Sequence, residues 1–327
     1  MRKVLLTTTA LVALGGVSAA SALEIGGYQR MTYSSWDDTA STEASGNNDS
    51  KFVDYTRFNF KHSGTSDSGL TYSMFARINN ATESYEEIKL SGDFGKLSVG
   101  DFTQAGNFYY NSLMFDGKYV DDNAQTFSGV SEYAAAAIMA ATTVGITYET
   151  PTIAGFNAMI TRGDSGTTSV ADPTEMGVIY SGSLGGDTSM TAHVITATAD
   201  DSTDAAGDEQ DNLEYGVVVS SGPIDVRYAN ASNETKSAAG VTTADIQTSE
   251  YAIQYKVSSD LVAAVIMTDS KDPKDTTNNP KLDQTVFAAR YDIAPGLRFY
   301  ASYVDFDYEG ATNNAGSQTN LALRIDF

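Results

Sequence analysis

Few side chains in this 327-residue sequence are equipped for covalent chemistry. Cysteine is absent, which removes thiolate nucleophiles, structural disulfides and thiolate zinc sites together. His62 and His193 are the two histidines. A serine hydrolase needs a histidine beside its serine and a third group to orient it. His193 stands instead in a Thr- and Ala-rich stretch, on the side of an alternating segment that carries polar residues, and reads as an isolated polar-face histidine. The densest acidic run, 200–211, holds Asp200, Asp201, Asp204, Asp208, Glu209 and Asp211. It lacks the glycine at position 6 and the glutamate at position 12 of a helix–loop–helix calcium loop, so a solvated acidic loop is the plain expectation. A divalent cation such as calcium is the alternative there, and no other cofactor is implied. With 42 acidic against 20 basic residues the formal net charge is -22, which excludes nucleic-acid binding by bulk electrostatics.

What must position these residues is legible from the alternation. At the N-terminus Arg2 and Lys3 precede an apolar stretch from Val4 to Val17, and Ala20-Ser21-Ala22 is a small-residue cleavage site. Residues 1–22 therefore read as a cleaved secretory signal, and the stretch is too short to span a bilayer. Beyond it no run of about 18 apolar residues occurs. Segments of about ten residues alternate with period two along the rest of the chain. Leu70, Tyr72, Met74 and Ala76 interleave with Thr71, Ser73, Phe75 and Arg77; Leu321, Leu323, Ile325 and Phe327 interleave with Ala322, Arg324 and Asp326. Short turns such as Ser66 to Gly69 and Ala294-Pro295-Gly296 take turns with longer polar connections at 36–50, 103–131, 163–173, 199–211, 231–246, 270–281 and 309–317. All six prolines fall in connections, where no ladder hydrogen bond is lost. The pattern predicts sixteen strands in one domain, 23–327, with no linker dividing it.

A secreted sandwich would also alternate, but it would turn one face into a dry core. Here the polar face carries Arg30, Arg57, Lys61, Arg77, Arg227, Arg290, Arg298 and Arg324. Charges of this kind need water or partners. An all-β transmembrane antiparallel up-and-down barrel supplies a wet lumen for that face and lipid for the other, with every backbone group paired around the closed sheet. Tyr33, Tyr148, Phe156, Tyr255, Tyr291 and Phe327 near segment ends suit interfacial aromatic girdles.

Several stretches, in order, resemble the Gram-negative general diffusion porins of the sixteen-stranded kind. They are Gly26-Gly27-Tyr28-Gln29-Arg30, Thr56-Arg57-Phe58-Asn59-Phe60, Gly69-Leu70-Thr71-Tyr72, Leu90 to Gly100, Tyr148-Glu149-Thr150-Pro151 and the terminal Leu323-Arg324-Ile325-Asp326-Phe327. Asp101 departs from the family, where arginine is common after the Val-Gly pair. The resemblance implies an outer-membrane homotrimer, surrounded by outer-membrane lipid and lipopolysaccharide, in which each barrel passes small hydrophilic solutes and catalyses nothing. It implies a terminal Phe327 read by the barrel-assembly machinery, and a third long loop, here 103–131, folded into the lumen. That loop holds Asp116, Asp121 and Asp122 with Phe108, Tyr109, Tyr110 and Phe115, and the basic wall opposite would be Arg30, Arg57, Lys61, Arg77 and Arg324. A transverse field between acids and bases would orient polar solutes. Acidic loops would give a mild cation preference, and 200–211 could bridge through a divalent cation to anionic lipid. A substrate-specific channel, or a plugged structural or adhesive barrel, would use the same fold.

Overall fold

The computed structural model describes residues 23–38, 50–101, 127–131, 134, 144–164, 172–200, 209–237, 239–311 and 313–327. Sixteen strands run through them: β1 (Glu24–Asp38), β2 (Ser50–Thr65), β3 (Thr71–Asn79), β4 (Thr82–Gly92), β5 (Gly95–Asp101), β6 (Val144–Glu149), β7 (Phe156–Asp164) and β8 (Thr174–Gly185) form the first half. The second half is β9 (Thr188–Asp200), β10 (Glu209–Ser221), β11 (Ile224–Lys236), β12 (Thr242–Lys256), β13 (Leu261–Lys271), β14 (Lys281–Ala294), β15 (Leu297–Glu309) and β16 (Asn314–Asp326). Each pairs antiparallel with its sequence neighbours, and β16 returns to β1 to close the barrel. Closure leaves no free sheet edge, which is what a strand-built membrane span requires. At the seam Gly27 donates its N–H to the carbonyl of Phe327 at 2.9 Å, and the N–H of Phe327 returns to the carbonyl of Gly27 at 3.0 Å.

The two faces sort as the alternation demands. Ile146, Val178, Val226, Ile253, Phe287, Tyr303 and Leu323 are exposed apolar residues on the outside. Tyr148, Phe156, Tyr255, Tyr291, Phe299 and Phe327 ring the turn end of that band, where Tyr148 also donates its hydroxyl to the carbonyl of Phe94 at 2.7 Å. Above the band the outer face changes character abruptly. Asp269, Asp283 and Asp307 lie in one register row across β13, β14 and β15, above the Val265, Phe287 and Tyr303 row.

One boundary differs from the sequence expectation. The polar stretch 231–246 is not a long loop, because β11 runs to Lys236 and β12 begins at Thr242, leaving 237–241 as the connection. Apart from Ala244 and Ile246 the residues of these strand ends are polar, so the pairing continues where the hydrophobic alternation stops.

Candidate functional site: the lumen and its walls

The third connection leaves β5 at Asp101 and re-enters the sheet at Val144. Its described stretch lies inside the barrel against the far wall. Phe127 packs with Ile266, Leu282, Val286, Val304, Phe306 and Tyr308, lumen-facing residues of β13 to β15. Its ring stacks on Tyr308 at a centroid distance of 4.8 Å and tilts against Phe306 at 5.3 Å. Polar bonds fix the same leg: Tyr308 donates its hydroxyl to the carbonyl of Ser128 at 2.8 Å, and the N–H of Ser131 donates to Ser270 Oγ at 2.9 Å. Ala134 is then fully buried against Ala229 and Ala231 of β11. The described residues of this connection thus touch the lumen face at two places, β13 to β15 around Phe127 and β11 at Ala134. Asp116, Asp121 and Asp122, with the aromatics at 108–110 and 115, lie outside the described residues, as does the signal 1–22.

The expected basic wall is assembled by register. Tyr28 of β1 opposes Arg57 of β2, Arg30 opposes Tyr55, and across the seam Arg30 opposes Arg324. On the next strands Asn59 opposes Arg77 and Lys61 opposes Phe75. All five basic residues thus share the lumen face, and aromatic rings separate them. Arg324 Cζ lies 3.8 Å from the ring centre of Tyr28, and Arg57 Cζ lies 5.1 Å from it on a second approach. Arg57 and Arg30 both sit 5.4 Å from the Tyr55 ring. Arg77 is 5.1 Å from Tyr85 and 5.3 Å from Phe75, and Lys61 is 5.7 Å from Phe75. Tyr28 and Tyr55 stack on each other at 5.7 Å, 22° from parallel. Arg57 Nε donates to Asn79 Oδ1 at 3.0 Å and Arg57 Nη2 donates to the Tyr55 hydroxyl at 2.9 Å. Arg324 also pairs with Asp326 at 2.7 Å, next to the Arg298–Asp292 and Arg298–Asp326 contacts at 3.4 and 3.6 Å.

The wall made by β8 to β12 is different. Glu175, Glu214 and Glu250 are fully buried there, as is His193, whose Nε2 is 2.8 Å from Glu214 Oε1. Arg227 reaches Glu250 at 3.2 Å and is itself buried. His193 is therefore a paired residue of a packed inner wall rather than an isolated one. Gly216 makes room for it, since a Cβ there would stand 2.6 Å from His193 Cε1. Arg227 is not bathed in lumen water either, but held by its carboxylate.

Among the described residues no three His, Cys, Asp or Glu side chains are grouped to hold a metal ion. Residues 201–208 of the acidic run lie outside the described ones. Sequence reasoning passed over the lumen aromatics Tyr28, Tyr55, Phe75 and Tyr85, and also Glu214 and Phe127. A signal existed for one of them: Phe75 occupies a polar-face position in its own alternation.

Comparison with known proteins is consistent at every level that returns a match. A family model described as Gram-negative porin matches residues 7–311. No curated relative matches the chain. The anion-selective porin from Comamonas acidovorans superposes with a TM-score of 0.72 at 15% identity, covering 94% of this chain and 100% of that one. The trimer form of OmpT, an outer membrane protein of Vibrio cholerae, gives 0.70 at 13% identity, with 94% and 100% covered. A mutant form of Rh. blastica porin gives 0.63 at 15% identity, with 93% and 100% covered. At these identities the superpositions establish the shared barrel.

Proposed function

Because the chain belongs to the Gram-negative porin family and is an outer-membrane diffusion channel, we propose that it acts as a passive, homotrimeric pore for ions and small hydrophilic solutes, with no catalytic step. The mature channel is 23–327, after removal of 1–22, and Phe327 serves its assembly. The supporting observation for the pore geometry is Phe127 seated inside the barrel on β13 to β15, while the arginines line β16, β1, β2 and β3. A loop held at that point narrows the water path between itself and the basic wall. Solutes are then sorted by size against the gap and by dipole against the field between Asp116, Asp121 and Asp122 and Arg30, Arg57, Lys61, Arg77 and Arg324. The acid surplus at the mouth enriches cations, so the overall preference is mildly cationic. Any calcium at 200–211 would bridge to anionic lipopolysaccharide and take no part in conduction. Liposome swelling with sugars of graded size tests this. A steep fall in rate with sugar mass is expected, and equal rates with protein-free liposomes would overturn it.

A further inference from the structure

A second element reaches the third connection besides the wall that Phe127 packs on: the stretch between β13 and β14, residues 272–280. Pro280 is buried there, and its ring is what a Cβ at Gly129 would strike, 2.7 Å from Cγ and 3.1 Å from Cβ. Gly129 has a φ of +74°, a conformation that glycine takes without cost. Space and backbone geometry therefore both ask for glycine where the two segments meet. Two residues further on, the N–H of Ser131 donates to Ser270 Oγ, and Ser270 stands on β13 just before the loop departs. Ser270 is itself fully buried, with its hydroxyl 2.9 Å from that of Thr248.

The loop that carries Pro280 is internally tied. Asp272 is buried, and its N–H donates to the carbonyl of Pro280 at 3.2 Å, closing the foot. Its Oδ1 accepts the N–H of Lys274 at 2.8 Å and that of Asp245 on β12 at 3.1 Å. Across the tip the N–H of Asn279 donates to the carbonyl of Asp275 at 2.8 Å. A loop closed at its foot and bonded across its tip moves as one piece. Pro273, Lys274 and Thr276 to Asn279 face water.

We infer that the β13–β14 connection is a latch on the third connection: Pro280 grips it at Gly129 while β13 holds it at Ser131, so the lumen loop is restrained by a rim loop as well as by the wall beneath. The grip stands on this geometry, and its effect on conduction rests on the pore reading above. Phe127 sets where the leg lies; the latch limits how far it fluctuates. The pyrrolidine ring suits the task, because its fixed φ keeps the contact from swinging away. A load on the exposed residues 273–279 would reach the leg through Pro280.

The test joins single-channel recording of the full chain in KCl with hydrogen exchange at Gly129, Val130 and Ser131. Pro280→Gly removes the ring, and Gly129→Ala forces the two segments apart. Each should raise the time spent in flickering substates about fivefold, the factor that one lost contact of ordinary strength gives. Pro273→Gly makes the same exchange at the exposed end of the loop and should match the parent. The thermal midpoint of the barrel should stay near the parent's throughout. If Gly129→Ala does not fold, Pro280→Gly carries the comparison. Flicker indifferent to Pro280→Gly, equal flicker in Pro273→Gly, or a fall in thermal midpoint that accompanies the flicker would overturn the latch. A parent that conducts nothing would sink the pore reading, and exchange then decides the latch by itself: faster at Gly129 to Ser131 in Pro280→Gly supports it, and unchanged exchange refutes it.

Discussion

Phe127 of the third connection stacks on Tyr308 of β15, with ring centroids 4.8 Å apart and planes 25° from parallel. The two residues belong to a segment between β5 and β6 and to the fifteenth strand, and their contact fixes where the loop meets the far wall. Water fills most of a porin lumen, so an apolar patch inside it exists to be covered. Ile266, Val286 and Val304, in one register row, form that patch.

Phe127→Ala should therefore loosen the loop more than the barrel. Losing a buried Phe side chain costs about 3–5 kcal/mol of packing, and the closed sheet does not depend on it. The expected outcome is a larger, noisier single-channel conductance with an almost unchanged thermal midpoint. The opposite pattern, normal conductance and a much less stable barrel, would mean that Phe127 is a core residue and not a loop anchor.

The His193–Glu214 contact, with both side chains fully buried, should behave as a coupled unit. His193→Leu removes a hydrogen-bond partner of the buried Glu214 side chain and should cost about 3 kcal/mol. Adding Glu214→Leu should restore part of that loss, since an apolar pair needs no hydrogen bond between its members. Thermal unfolding of the three variants in detergent measures the coupling; additive losses would contradict it.

How much of this was legible in the sequence follows from what each face touches. Strand number and facing were readable because lipid enforces an apolar residue at every second position, as in Tyr251, Ile253 and Tyr255. The ends of β11 and β12 were not, because Asn233 to Lys236 pair above the apolar band, where neither face needs to be hydrophobic. The arginines announced themselves as charges on a polar face. Their rings did not, since Tyr28 and Tyr55 acquire meaning only when β1 and β2 are set in register. The bond from Tyr308 to Ser128 joins residues 180 positions apart, a distance at which no periodicity speaks.

Gly27→Ala tests the seam. A Cβ there would lie 1.9 Å from the carbonyl oxygen of Arg57 and 3.1 Å from the Phe327 ring, so β1 would have to move away from β2. The displacement would pull on both hydrogen bonds that join Gly27 to Phe327. The variant should refold poorly and melt at a lower temperature than the parent by heat-modifiability on gels. Parent-like folding would show that the seam tolerates a shift.

Acid should release one connection before the barrel. Asp275, between β13 and β14, accepts bonds from the N–H and side-chain amide of Asn278 and from the N–H of Thr277, and these hold its carboxyl below the usual carboxylate value. A depressed folded pKa stabilises the turn at pH above the unfolded value of about 3.9, and that contribution fades as pH falls through the lower folded value. Hydrogen exchange at Thr277 and Asn278, after correction for intrinsic rate, should be protected at neutral pH and lose protection in strong acid. Asp275→Ala should abolish the difference; protection unchanged by either would refute the tether.

The central claim is an open aqueous pore whose ion preference is set between the third connection and the arginine wall. Single-channel recording of the purified full chain in a planar bilayer, under a salt gradient, addresses it most directly. Large steps proportional to salt, closing in groups of three, are predicted. The reversal potential should move toward anion preference in Asp121→Asn with Asp122→Asn, and toward cation preference in Arg57→Gln. Silence from folded, inserted protein, or a reversal potential indifferent to both changes, would contradict the account.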